Sequence, residues 1–175
     1  MKNVQLDHTS HVENQKNSSG SIFPLSYLAH NIDTPANIGS FFRIADALGI
    51  ERIFLTGTSI APPNTKLSKT SRSSEKHVAY SVNDCPHLVI THLKNLGYKI
   101  IGLEITSSST DINNLDINKN EKICLILGSE KNGICQELLN LTDICIHIPM
   151  LGHNSSMNVA NACAIASYEI TRQLK

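Results

Sequence analysis

Tryptophan is absent from this 175-residue chain, and Phe, Trp and Tyr together make up only 5% of it. A base-stacking platform of the kind used by single-strand binders is therefore not expected. Net charge is absent as well, because fifteen Lys and Arg balance fifteen Asp and Glu. That balance excludes affinity for nucleic acid or membrane built on bulk charge, and leaves room only for a local basic patch. No apolar run approaches the roughly 18 residues that a membrane helix needs. The opening stretch, MKNVQLDHTSHVENQKNSSG, lacks the apolar core of a secretory signal. The five cysteines (Cys85, Cys124, Cys135, Cys145 and Cys163) form no C-x-x-C and are odd in number. Three of them fall in apolar runs, which reads as reduced, buried thiols of a cytoplasmic protein. His8 and His11 have no Cys or carboxylate cluster beside them, so they read as part of a solvated tail and no metal is expected.

What remains suffices for one globular domain. Apolar residues account for 41% of the chain and charged residues for 17%, and a domain of this size buries roughly 70% of the surface its unfolded chain exposes. Residues 1–20 are polar and aperiodic and read as a flexible tail, which leaves 21–175 as the folded domain. Ile22–Leu28, Arg52–Thr56, Lys99–Leu103, Lys122–Leu127 and Ile144–Ile148 read as strands, buried on both faces and therefore parallel; His77–Ser81 is a weaker sixth. Helical spacing links Ile38, Phe41, Phe42, Ala45 and Leu48, with Gly49 as the stop. Pro86 opens a second helix that Gly97 ends; Gly133–Leu141 and Met157–Leu174 read as two more. Alternating strands and helices predict an α/β fold, a mostly parallel sheet flanked by helices on both faces.

Two connections are longer than a connector requires. Gly57–Lys76 reads as a loop in which Lys66, Lys69, Arg72 and Lys76 outnumber the single acid Glu75, a local charge of +3. Thr106–Asn120 is polar and reads as a mobile loop.

Three segments carry chemistry-bearing residues at strand ends. In Asn37-Ile38-Gly39-Ser40-Phe41-Phe42-Arg43, the missing side chain of Gly39 leaves Arg43, one turn on, room to reach a phosphate or carboxylate. A helix cap followed by an exposed arginine fits the same spacing. In Leu127-Gly128-Ser129-Glu130-Lys131-Asn132-Gly133 a strand ends in a glycine turn bearing a carboxylate, where open α/β sheets bind ligands. The spacing is not G-x-G-x-x-G, which counts against a nicotinamide-dependent reductase, and a plain strand-to-helix turn also fits. In Ile148-Pro149-Met150-Leu151-Gly152-His153-Asn154-Ser155-Ser156-Met157-Asn158, Ser155 or Ser156 suits a helix cap, which leaves the other polar residues unexplained. The small residues Ala160, Ala162, Cys163, Ala164, Ala166 and Ser167 that follow permit close helix packing, within the fold or across a dimer.

In this order the set N-x-G-x-x-x-R, L-G-S-E-x-x-G and I-P-M-x-G…S-x-N-V-x-x-A resembles the SpoU (TrmH-like) family of RNA ribose 2′-O-methyltransferases, of the SPOUT superfamily. The likeness runs from about Ile22 to the C-terminus, and KLSKTSRSSEK (Lys66–Lys76) also resembles the family's segment after P-P. The resemblance implies a C-terminal deep trefoil knot with loops at Leu103–Thr106, Gly128–Gly133 and Ile148–Met157. It also implies S-adenosylmethionine held by backbone at Leu103, Gly128, Ile148 and Met157, without a metal. Asn37, Arg43, Glu130, Ser156 and Asn158 match the family's catalytic motifs. Family members are typically homodimers, which implies a second copy as partner beside RNA, with tRNA favoured over rRNA. On this reading Lys66, Lys69, Arg72 and Lys76 are the candidate RNA contacts. Met157 stands where the family usually has Leu, a volume-conserving change. A non-catalytic RNA-binding or assembly factor keeping the knotted fold is the alternative.

Overall fold

The computed structural model describes residues 22–175 and, ahead of them, Val4, Gln5 and Asp7. Apart from those three positions, the tail expected at residues 1–20, with His8 and His11, lies outside the described residues.

The elements follow in the order β1 (Phe23–His30), α1 (Pro35–Leu48), β2 (Ile50–Thr56), α2 (Thr65–Ser71), β3 (Ala79–Asn83), α3 (Pro86–Asn95), β4 (Tyr98–Leu103), β5 (Thr110–Asp111), β6 (Lys122–Leu127), α4 (Gln136–Leu139), β7 (Ile144–His147) and α5 (Val159–Leu174). The strands form one sheet in the order β3-β2-β1-β6-β4-β7-β5, and each pairing is parallel. The expected α/β sheet is therefore wholly parallel rather than mostly so.

Both faces of the central strands are apolar because helices cover both. On one face, Leu25, Tyr27, Leu125 and Leu127 pack with Phe41 and Phe42 of α1 and Cys163, Ala166 and Ile170 of α5. On the other, Leu28, Ile100, Cys124 and Ile126 pack with Val89, Ile90 and Leu93 of α3 and Leu138 of α4. The small-residue face of α5 is thus used inside the fold, and a buried hydrogen bond of 2.6 Å between the Tyr27 and Ser167 hydroxyls pins it to β1. Gly49 ends α1 in the left-handed region at φ 67°, as its position predicts.

Both long connections depart from expectation. Gly57–Lys76 is no plain loop: Asn64 caps α2 by accepting from Lys66 and Leu67 N–H, and Ser74–Lys76 forms a 3-10 turn. Gly39 explains why a polar segment with one buried apolar side chain, Leu67, stays helical. A Cβ at Gly39 would lie 2.6 Å from the Leu67 carbonyl oxygen and 2.8 Å from Thr70 Cβ. The missing side chain admits α2 against α1, so it does not clear a path for Arg43. Thr106–Asn120 is docked rather than mobile in outline, because it contributes β5, a 3-10 turn at Ile112–Asn114 and the buried Ile112, Leu115 and Ile117. The Gln173 side chain of α5 fastens it, accepting from Ile117 N–H and donating to the Leu115 carbonyl, both at 2.8 Å. The fourth helix is shorter than Gly133–Leu141, running only from Gln136 to Leu139.

Candidate active site

A cavity of about 600 Å³ opens at the carboxyl ends of β4, β6 and β7, beside the N-terminus of α5. Three connections wall it: the stretch after β4, the glycine turn after β6, and the segment leading from β7 into α5. All four backbone positions expected to hold a cofactor, Leu103, Gly128, Ile148 and Met157, line it.

The glycine turn is closed by a reciprocal pair of backbone bonds between Ser129 and Gly133, at 3.0 and 2.9 Å. The Ser129 hydroxyl adds a third by accepting from Asn132 N–H. Gly128 is sterically required there, since a Cβ would sit 2.3 Å from Gly133 C and Ile134 N.

At one edge of the cavity Glu130 and Asn158, which line it, are joined from behind by the buried Asn37, which does not line it. Asn37, in the first turn of α1, donates from Nδ2 to Glu130 Oε1 at 2.8 Å. Asn158 Nδ2 donates to Asn37 Oδ1 at 3.0 Å. The Asn158 side-chain oxygen then caps α5, accepting from Ala160 N–H at 2.8 Å and Asn161 N–H at 3.3 Å. The cap expected from Ser155 or Ser156 is therefore Asn158, whose amide reaches the helix N–H groups and Asn37 together. Desolvation raises the Glu130 carboxyl pKa, but hydrogen bonds from Asn37, its own backbone N–H and Thr34 outweigh it and leave the group below its ordinary value.

The other expected catalytic residues are placed differently. Ser156 lines the cavity from an exposed position. Arg43 does not line it. Six residues beyond Asn37 on a 3.6-residue helix, its side chain leaves α1 in another direction. It is exposed and, among the described residues, forms no hydrogen bond or ion pair. Lys66, Lys69, Arg72 and Lys76 are all exposed, on α2 and the turns after it.

Sequence reasoning passed over Glu104, Lys131 and His147, which also line the cavity. The usable signal for Glu104 was an acid directly beyond the carboxyl end of a parallel strand. Among the described residues no group of three or more His, Cys, Asp or Glu is arranged to hold a metal ion.

Comparison with known proteins gives a consistent result. The model of the SpoU rRNA Methylase family matches residues 24–168. The tRNA (guanosine(18)-2′-O)-methyltransferase of Thermus thermophilus is 30% identical over 149 residues, 85% of this chain and 75% of the relative. Its Escherichia coli counterpart is 28% identical over 152 residues; the match takes in 85% of this chain but only 63% of that protein. Among solved structures, the SpoU methyltransferase AviRb from Streptomyces viridochromogenes in complex with AdoMet superposes with a TM-score of 0.77 at 27% identity, over 85% of this chain and 59% of that one. A structure described as giving insights into the 2-OH methylation of C/U34 on tRNA superposes with a TM-score of 0.76 at 25% identity, over 86% of this chain and 95% of that one.

Proposed function

Because the chain belongs to the SpoU rRNA Methylase family, we propose that it methylates a ribose 2′-hydroxyl in RNA, with tRNA as the favoured substrate and S-adenosylmethionine as the methyl donor. The observation that carries this reading is the convergence of Leu103, Gly128, Ile148 and Met157 with Glu130 and Asn158 around one cavity. The residues present suit the donor. The volume lies within the roughly 300–1,000 Å³ of small-molecule sites, Ile134, Leu139 and Val159 add apolar wall, and Glu104 and Glu130 bring carboxylates to a ligand with cationic groups. The preference for tRNA rests on the names of the relatives and on the tRNA-modifying structure of matching length.

S-adenosylmethionine, when bound, supplies an electrophilic methyl group on its sulfonium. The protein has to hold the ribose oxygen roughly 3 Å from that carbon and in line, so positioning supplies much of the rate. Asn37, Glu130 and Asn158 form a hydrogen-bonded corner that fixes the α5 N-terminus and the glycine turn relative to each other. Glu130 is a positioning group here: a carboxylate held below its ordinary pKa is a poor proton acceptor. Arg43 stands outside the cavity and suits a group that engages RNA, orienting the hydroxyl or its neighbouring phosphate and stabilising developing negative charge. A guanidinium with a pKa above about 12 fits that role better than that of a base. Ser156 holds the ribose side of the mouth. Lys66, Lys69, Arg72 and Lys76 meet RNA phosphates.

The same reading includes a knotted C-terminal part, supported by the three loop segments that share one cavity. It also includes a homodimer through the knot region and the exposed side of α5, where Ile165 and Tyr168 are 44% and 64% accessible. The reading also takes the cytoplasm as the site of action. Among the described residues no helix is long and apolar enough to cross a membrane.

The test is to incubate the purified protein and its Arg43→Ala variant with S-adenosylmethionine and unmodified tRNA or rRNA, then quantify 2′-O-methylnucleosides by mass spectrometry. A ribose methyl formed on tRNA by the native chain alone is the expected result. A product on rRNA alone corrects the substrate, and the absence of both product and cofactor binding overturns the reading.

A further inference from the structure

Glu104 has no part in the motifs that identify the family resemblance, yet it occupies a distinctive place. It follows the last residue of β4, and its backbone N–H continues that strand's pairing by donating to the Ile146 carbonyl at 2.9 Å. Its carboxylate is divided between two walls of the cavity. Oε1 accepts from Ile105 N–H at 2.9 Å, on its own connection. Oε2 accepts from Ile134 N–H at 3.0 Å, just beyond the glycine turn. Gly133 is pressed against it so closely that a Cβ there would lie 2.2 Å from Oε2. Each oxygen uses one lone pair on these contacts and retains another.

The charge lining the cavity is asymmetric. Two carboxylates, Glu104 and Glu130, line the cavity against one Lys or Arg, the exposed Lys131, and one imidazole, His147, whose Nδ1 is tied to the Ser109 hydroxyl. Methyl transfer changes the ligand's charge by one unit: S-adenosylmethionine carries a sulfonium, an ammonium and a carboxylate, whereas S-adenosylhomocysteine carries only the last two. A fixed carboxylate in a partly desolvated cavity distinguishes ligands on that basis without touching the sulfur. Its two backbone hydrogen bonds keep the charge in place in both states.

Resting on the methyl-donor reading above, we propose that Glu104 is a donor-selecting residue. It straps the connection after β4 to the glycine turn after β6, and its charge makes the cavity favour the cationic methyl donor over the neutral spent product. The two functions separate by which ligand suffers. Glu104→Gln removes the charge and, because its amide nitrogen cannot accept, also gives up one of the two backbone bonds, a loss that all ligands share. Glu104→Asp keeps the charge and shortens the reach to Ile134 N–H.

The experiment is calorimetric titration of the full chain and both variants with S-adenosylmethionine, S-adenosylhomocysteine and sinefungin, in which an amine-bearing carbon replaces the sulfonium. Thermal unfolding of each protein runs alongside. Glu104→Gln is expected to weaken the two cationic ligands about tenfold more than S-adenosylhomocysteine, with the difference shrinking as salt is added. Glu104→Asp is expected to weaken all three ligands alike and keep the native ratio between them, which holds the test open if Glu104→Gln does not fold. Equal loss for all ligands in Glu104→Gln would reduce Glu104 to a strap and overturn selection, as would no loss at all. A native chain that binds none of the three overturns the methyl-donor reading itself, which is a separate outcome.

Discussion

The corner at Asn37, Glu130 and Asn158 and the basic segment at Lys66, Lys69, Arg72 and Lys76, on α2 and the turns after it, treat their polar groups in opposite ways. In the corner each group is committed: Glu130 to Asn37, Asn37 to Asn158, and Asn158 to the N–H groups that open α5. In the basic segment the cations are exposed and, among the described residues, none enters a salt bridge. Two acids that touch this segment are occupied by its hydroxyls instead, Glu75 by Ser71 and Asp46 by Ser74. A committed corner costs little reorganisation when a small ligand arrives, whereas unpaired lysines remain available to a polyanion. On the proposed function, the first arrangement serves the reaction geometry and the second serves capture of RNA.

Arg43 tests that division most severely, because it is free like the lysines yet assigned to the reaction. Arg43→Ala should lower single-turnover methyl transfer by at least about a hundredfold. Its unfolding free energy should stay within about 0.5 kcal/mol of native, since the side chain is exposed and makes no hydrogen bond or ion pair among the described residues. Arg43→Lys with near-native transfer would show that only positive charge is needed and move Arg43 to the capture side.

Gly128→Ala strikes the opposite region. Its new Cβ would meet backbone atoms at 2.3 Å, so the turn must shift, and affinity for S-adenosylmethionine should drop about tenfold or more in calorimetry. RNA binding, followed by filter retention, should change little.

Asn37→Ala removes one hydrogen bond from Glu130 and one from Asn158, and urea unfolding near neutral pH should show a loss of about 1–3 kcal/mol.

Replacing Lys69 and Arg72 with Ala should weaken RNA binding severalfold. If both reach phosphate, the log–log salt slope should flatten by about 1.5, with donor affinity untouched. An unchanged slope would return this face to the status of an ordinary solvated helix.

The smallest effect concerns pH. Glu130 is held below its ordinary pKa of 4.5. Its contribution to stability is therefore complete above that value and disappears as pH falls through the lower folded-state value. Urea midpoints measured downward from pH 6 should decline more gently in Asn37→Ala, which has already lost the main hydrogen bond responsible.

The strands were legible because a strand buried on both faces is written as an unbroken apolar run; Lys122–Leu127 reads the same in sequence and structure. Helix ends were legible where a single residue settles them, as Pro86 and Gly49 do. Residues whose meaning depends on a distant neighbour were not. The polar stretch holding α2 needs Gly39 to admit it, and Thr110–Asp111 is a two-residue edge strand whose pairing with Ile146 and His147 leaves no pattern. Asn158 outcompetes two adjacent serines as the cap because only its amide also reaches Asn37, 121 positions earlier. The cavity-lining backbone positions came from the family resemblance, which also marked Leu103–Thr106 as a loop, whereas the role of Glu104 within that loop emerged only from its contacts.

The order of strands also bears on how the chain comes into being. β4 pairs only with β6 and β7, and the inner edge of β1 pairs only with β6. During synthesis, a nascent chain that has reached Leu103 can join β1 to β2 and β3, but both the open edge of Phe23–His30 and the whole of Tyr98–Leu103 wait for residues 122–127. Until that strand leaves the ribosome, two apolar edges stand ready to pair with other chains. Its arrival joins β4 to the three-stranded sheet in one step, before β7 and β5 can add, and translation through this stretch is where a chaperone would have most to protect.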